Sequence, residues 1–181
     1  MMETILNLGL NDETVVGLAT QSGSPRFAYD SYRRLLQMYG DVVLGVPMRD
    51  FEHLLAAKRL TTGAKIDAEL PAEALQALVG EYHALVRSVT GKPFPHDPRA
   101  QLWGAIEAVW RSWTLKKAVD YRRVNNIAES PGTAVNIVAM VFGNLGDDSG
   151  TGVAFTRDPS TGERIFYGEF LVNAQGEDVV A

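Results

Sequence analysis

Three groups of side chains in this 181-residue chain are of types that carry chemistry. The first is acidic. Glu169 lies inside an apolar run, where a carboxylate needs a partner or water. Glu177 and Asp178 follow Gly176, just ahead of another apolar run. Carboxylates at strand ends hold ribose hydroxyls or a hydrated Mg²⁺; solvated turn charges are the plain alternative. The second group is Arg122, Arg123 and Arg157. Their guanidinium forks match phosphate oxygens in pairs, although ion pairs with the acidic excess account more simply for Arg122 and Arg123. The third is His53, His83 and His96. They fall on different predicted elements with no ligand spacing, which makes them surface or boundary residues rather than catalysts or zinc ligands. The phosphate loop GxxxxGK[ST] is absent, and the glycines of GTGVAF and NAQGED do not form GxGxxG, so neither a P-loop nor a Rossmann site has support.

Composition narrows the classes further. At 46% hydrophobic the chain can bury a proper core. A formal net charge of -5 argues against a broad phosphate-backbone footprint, and so against a nucleic-acid partner. There is no cysteine, which excludes disulfides and thiolate zinc sites and suits a cytoplasmic chain. No apolar run reaches membrane-spanning length, and the N-terminus lacks the basic-then-apolar order of a signal peptide. Met1-Met2-Glu3 runs straight into ILNLGLN, and the C-terminus stops at Val179-Val180-Ala181 inside an apolar run. Both ends lead to the expectation of a piece cut from a longer protein.

The elements that must position these groups follow from periodicity. Residues 1–10 read as a loop or a short helical turn. Asn11 or Asp12 caps a helix through Val15, Val16, Leu18 and Ala19. Residues 21–25 end it, and Pro25 suits the first turn of the next helix, residues 26–39. That helix sets Phe27, Tyr32, Leu35, Leu36 and Tyr39 on one face, with Tyr29, Arg33 and Arg34 as polar heads. Residues 50–60 are helical, 61–70 a loop, and Pro71-Ala72-Glu73 starts another helix. Three prolines in residues 91–98 forbid helix there, which puts the main subdomain boundary in that stretch. Pro98 opens a long helix with Trp103, Trp110 and Trp113 as an aromatic core stripe, and residues 115–124 make one more helix.

The densest strand signals come last. Residues 134–142 alternate with period 2, and both sets are apolar, which predicts a strand covered on both faces. Residues 144–152 read as a turn, 153–156 as a second strand, 158–162 as a turn, and 165–172 as a third strand. The order predicts an antiparallel meander and an α+β fold.

The segments METILNLGLND, SPRFAYDSYRRLLQMYGDVVLGV, YRRVNNI, GTAVNIVAMVFGN, DSGTGVAFTRDPSTGE and GEFLVNAQGEDVVA closely resemble the pyruvate, phosphate dikinase family, in order and at similar spacing over nearly the whole chain. Residues 51–95 match mainly in helical character. The resemblance implies a partial ATP-grasp domain: residues 1–16 as the remnant of an N-terminal nucleotide-binding lobe, 17–95 as a mainly helical subdomain, and 96–181 as a lobe with antiparallel strands. It implies an enzyme that turns ATP, phosphate and pyruvate into AMP, pyrophosphate and phosphoenolpyruvate. ATP and Mg²⁺ are the implied cofactors of the full-length enzyme. The phosphohistidine and pyruvate-binding domains are the implied partners in the same polypeptide, with a homodimer as the expected assembly. None of the three histidines stands in a sequence like the family's phosphohistidine motif.

Within this chain the resemblance places adenine against NIVAMVFG. The backbone of Met140 and Val141 would meet the base edge, with Glu177 and Asp178 near the ribose or phosphates. Met1 to Thr4 resembles the tail of a glycine-containing loop over the phosphates. The basic residues and the main metal-binding acid are not in this sequence, so the isolated chain is expected to lack dikinase activity and to bind ATP weakly or not at all. An interaction or regulatory module that kept the fold, and a relative of the phosphoenolpyruvate synthases, are the alternative readings.

Overall fold

The helical part begins where Asn11 folds its side chain back on the chain. Its Oδ1 accepts from the backbone N–H of Glu13 (2.9 Å) and Thr14 (2.8 Å), and its carbonyl accepts from Val15 N–H (3.0 Å). These bonds satisfy donors that a first helical turn leaves open. Of the two residues expected to cap, Asn11 does so. The helix α1 spans Thr14–Ser22 and stops at Gly23, whose φ of 66° an L side chain rarely adopts. The computed structural model describes residues 3–179, apart from the side chain of Glu177. Met1-Met2 and Val180-Ala181, with the expectations placed on them, lie outside the described residues.

Helix α2 spans Pro25–Val42. Ser24 caps it, accepting from Phe27 N–H at 3.2 Å, and Pro25 sits in the first turn as expected. Phe27, Tyr32, Leu35, Leu36 and Tyr39 are all buried, on the face that periodicity assigned. Arg33 departs from expectation. It is only 4% exposed, beside an equally buried Asp30. Asp30 Oδ1 meets Arg33 Nη2 at 2.5 Å, and Oδ2 meets Arg34 Nε at 3.2 Å. A buried guanidinium is tolerable only with such a partner. Arg33 also donates to Gln37 Oε1 (3.1 Å) and approaches Asp67 at 4.0 Å.

Helices α3 (Met48–Thr62) and α4 (Ala72–Thr90) fall where expected, ending at Gly63 and Gly91 with positive φ. The loop between them holds a short 3₁₀ turn, Asp67–Glu69. Arg26 fixes that turn by donating to Leu70 O (3.0 Å) and Asp67 O (2.9 Å). Phe51 and Tyr82 pack edge to face between α3 and α4, and Tyr82 O–H donates to Phe51 O at 3.1 Å.

The proline-rich stretch is non-helical, as required, but it is a connector inside the first compact unit, which extends to Val138. Phe94 is 1% exposed and sits edge-on to Tyr39. Asp97 then caps α5 (Pro98–Ser112) through Arg99 N–H, and α6 spans Lys116–Val124. The expected tryptophan core stripe is not there. Trp103 and Trp110 are 60% and 50% exposed. The buried face of α5 is instead Gln101, Ala105, Ala108 and Ser112, at steps of three and four; Trp103 and Trp110, seven residues apart, share another face. No helix of the described residues is long and apolar enough to cross a membrane.

The second unit begins at Ala139. Strand β1 (Gly150–Phe155) pairs antiparallel with β2 (Tyr167–Val172), from Gly150 opposite Val172 to Phe155 opposite Tyr167. The turn over residues 158–162 forms as expected: Asp158 Oδ1 accepts from Ser160 N–H (2.7 Å) and Thr161 N–H (3.1 Å), and Gly162 takes φ 77°. The α+β class holds. The three-stranded meander does not, because residues 133–142 take no regular secondary structure. A period-2 apolar run becomes a strand only where a neighbour's N–H and C=O groups meet its own. Among the described residues no strand pairs with residues 133–141, and Ile137, Val138 and Val141 are 66%, 79% and 93% exposed rather than covered on both faces.

Candidate functional site

The residues that sequence reasoning singled out divide between the two units. Met140, Val141, Glu177 and Asp178 belong to the second. Met140 is half-buried and Val141 open. Among the described residues, neither makes a backbone hydrogen bond, so their N–H and C=O groups remain available to a ligand edge. Immediately after them the chain is pinned. Gly143 O accepts from Ala174 N–H at 3.0 Å, and Thr151 O–H donates to Ala174 O at 2.6 Å. A Cβ on Gly143 would collide with Thr151 Oγ1 and stand 2.5 and 2.7 Å from the carbonyl oxygens of Ala174 and Gly150. Backbone oxygens cannot swing aside. Gly143→Ala is therefore expected to destabilise the second unit by about 1–3 kcal/mol. Faster amide exchange at Ala174 would register it, and unchanged exchange there would refute the tight approach.

Asp178 lies not at a strand end but in the short helical turn α7 (Gly176–Val179). Its Oδ2 accepts from Gln175 N–H at 2.8 Å, so part of its capacity closes that turn. Glu169 is exposed on β2 and accepts from Tyr167 O–H at 3.0 Å. That bond and the facing carboxylate raise the Tyr167 phenol above its ordinary value. The partner demanded of Glu169 is thus a tyrosine and solvent.

The arginines have local partners. Arg122 is 5% exposed; its guanidinium lies 3.8 Å over the Trp113 ring, and its Nη1 donates to Trp113 O at 2.8 Å. This cation–π stack joins α6 to the end of α5. Arg123 is exposed and pairs with Asp120 at 3.8 Å, as the plainer reading had it. Arg157 donates to Gly162 O at 3.2 Å across the turn.

Sequence spacing missed one cluster. His53 stands alone on α3, but His83 and His96 stack with centroids 5.5 Å apart and planes 8° from parallel. Asp12 lies 3.8 Å from His83 Nε2 and 3.7 Å from His96 Nδ1, and Tyr32 O–H sits 2.8 Å from His83 Nε2. Asp12, His83 and His96 border an open cavity of about 810 Å³, with Val15, Val79 and Phe94 on its apolar side. The two rings lie in near-parallel planes, so their in-plane lone pairs do not converge on one point. Among the described residues no group of three or more acidic or histidine side chains is placed to hold a metal ion.

The family model described as "Pyruvate phosphate dikinase, AMP/ATP-binding domain" matches residues 1–181. The chain belongs to that family. Curated relatives agree with the match. Pyruvate, phosphate dikinase of Rhizobium meliloti (strain 1021) is 56% identical over 181 residues, all of this chain and 20% of the relative. That of Clostridium symbiosum is 55% identical over 182 residues, all of this chain and 21% of the relative. The chloroplastic pyruvate, phosphate dikinase 1 of Arabidopsis thaliana is 58% identical over 181 residues, all of this chain and 19% of the relative. The chain spans about a fifth of the length of these dikinases. The open backbone at Met140 and Val141 thus belongs to a domain whose family is described by nucleotide binding.

Proposed function

We propose that this chain is the adenine-facing part of the ATP site of a pyruvate, phosphate dikinase, built on an ATP-grasp framework. The family match over residues 1–181 carries the reading. The unpaired backbone at Met140 and Val141 supports it locally: a purine edge needs a donor and an acceptor at adjacent positions, and a strand-like segment presents both. The exposed Val141 side chain supplies apolar contact for a ring face. Glu177 and Asp178, which follow Gly176 in the sequence, are assigned to the ribose or phosphates in this reading.

The reaction proposed for the full-length enzyme consumes ATP, phosphate and pyruvate and yields AMP, pyrophosphate and phosphoenolpyruvate. A histidine on a separate domain carries the phosphoryl group, and a further domain binds pyruvate. The described residues offer no cluster that fits Mg²⁺ as a resident ion. The metal that accompanies ATP takes its ligands from the phosphates, from water and from acids elsewhere in a dikinase-length polypeptide. Phosphoryl transfer depends on positioning and charge neutralisation, so this chain by itself orients the base and does little at the phosphates.

The test is an NMR titration of the chain with ATP, with and without Mg²⁺. The amides of Met140 and Val141 should shift first, at millimolar rather than micromolar ligand. Saturating shifts elsewhere, with these two amides unmoved, would overturn the reading.

A further inference from the structure

The cluster around His83 joins four segments that are distant in sequence. Asp12 comes from the α1 entry, Tyr32 from α2, His83 from α4, and His96 from the connector between α4 and α5. Asn11 binds the same two ends: its Nδ2 donates to His96 O at 2.9 Å while its Oδ1 holds the first amides of α1. Gln101 adds a parallel tie, accepting from Gly9 N–H and donating to Leu10 O and Pro95 O.

The proton positions follow from the single hydroxyl proton of Tyr32. Burial, then Asp12, hold this phenol far above its ordinary range, so it stays protonated. It donates to Asp12 Oδ1 at 3.1 Å and must then accept from His83 Nε2–H at 2.8 Å. That assigns the neutral His83 proton to Nε2 and leaves Nδ1 as its basic atom. The chain His83 N–H to Tyr32 O–H to Asp12 is complete with His83 neutral.

A second proton changes the balance. The charged and titratable groups facing His83 are Asp12 from the α1 entry, Tyr29 and Tyr32 from α2, His96 from the connector, and Arg87 on its own helix along the same cavity. One carboxylate, Asp12, faces two imidazoles. A proton added at His83 Nδ1 places a cation against the stacked His96 ring, with centroids 5.5 Å apart. We propose that Asp12, His83 and His96, linked through Tyr32, form an acid-released clasp between the start of α1 and the α4–α5 connector, closed while His83 is neutral and opened when His83 takes up a second proton.

Burial pushes the His83 imidazole below its ordinary value; Asp12 opposes this and His96 adds to it. A group whose native-state value lies below its unfolded value stabilises the native state fully above the unfolded value, 6.5 for histidine, and less as pH falls below it. The clasp therefore loosens in acid.

Amide exchange on the 181-residue chain tests this. Between about pH 7.5 and about pH 5.5, the protection of Gly9, Glu13 and Thr14, corrected for intrinsic rate, should drop, by at most about tenfold, while that of Leu35 holds. His83→Gln should lose the pH dependence, and His96→Gln, at a half-exposed position, should keep the neutral-pH protection and weaken the dependence. Flat protection in the wild type overturns the proposal. So does a parallel drop at Leu35, which would mean global unfolding, and so does an undiminished pH response in His96→Gln.

Discussion

Replacing Asp30 by alanine is expected to lower the stability of the first unit by about 3–5 kcal/mol, the range for removing one partner of a buried ion pair. The variant leaves Arg33, 4% exposed, with its charge inside the protein and its main acceptor gone. Gln37 and the more distant Asp67 cannot replace a carboxylate at 2.5 Å. Urea denaturation read by circular dichroism measures the loss; a change under about 1 kcal/mol would mean that water reaches Arg33 and that the pair contributes as a surface bridge does. The double variant Asp30→Leu with Arg33→Met should recover most of the loss, since no uncompensated charge remains.

The same carboxyl has a pH signature. Burial raises its value, but Arg33 and Arg34 more than offset this, and the net direction is below the ordinary 3.8. A lowered native-state value means that its contribution is fully present above the unfolded value and disappears as pH falls through the native-state one. Wild-type stability should therefore fall below about pH 4 with a component that Asp30→Ala lacks.

The second large effect is expected at Gln101. Its amide is wholly buried and makes three bonds to backbone: Gly9 N–H at 2.8 Å, Leu10 O at 3.0 Å and Pro95 O at 2.8 Å. Gln101→Leu keeps the volume and removes all three. A buried polar group left unpaired costs about 1–3 kcal/mol. With carbonyls more forgiving than amides, the sum should be about 3 kcal/mol. A thermal melt gives the total, and faster exchange at Gly9 N–H locates it. A melt within error of wild type would show that water satisfies these groups.

Both sites mark where the sequence could be read and where it could not. The face of α2 was legible because Phe27, Tyr32, Leu35, Leu36 and Tyr39 repeat with the helix. Arg33 was not, since a charged residue beside that face is ordinarily solvated and only Asp30 with the Asp67 turn makes burial tolerable. Gln101 and the tryptophans of α5 were exchanged for a similar reason. Size and apolarity favoured Trp103 and Trp110 as core, yet the inward face is set by which angle meets the rest of the unit, and there three backbone groups needed an amide. The candidate nucleotide segment comes from resemblance; Met140 and Val141 make no backbone hydrogen bond among the described residues, and the segment is not the strand its periodicity predicts because strand pairing is a property of two segments.

By itself, the sequence determined the helix starts and stops, the β1–β2 turn, the α+β class and the family, because caps, prolines, glycines and long matching segments act locally or as text. The tertiary structure alone decided which polar side chains are buried, that residues 133–141 join no sheet among the described residues, and that His83 and His96 meet over Asp12. Each of those outcomes depends on groups far apart in the chain arriving at one place, and no spacing rule encodes that.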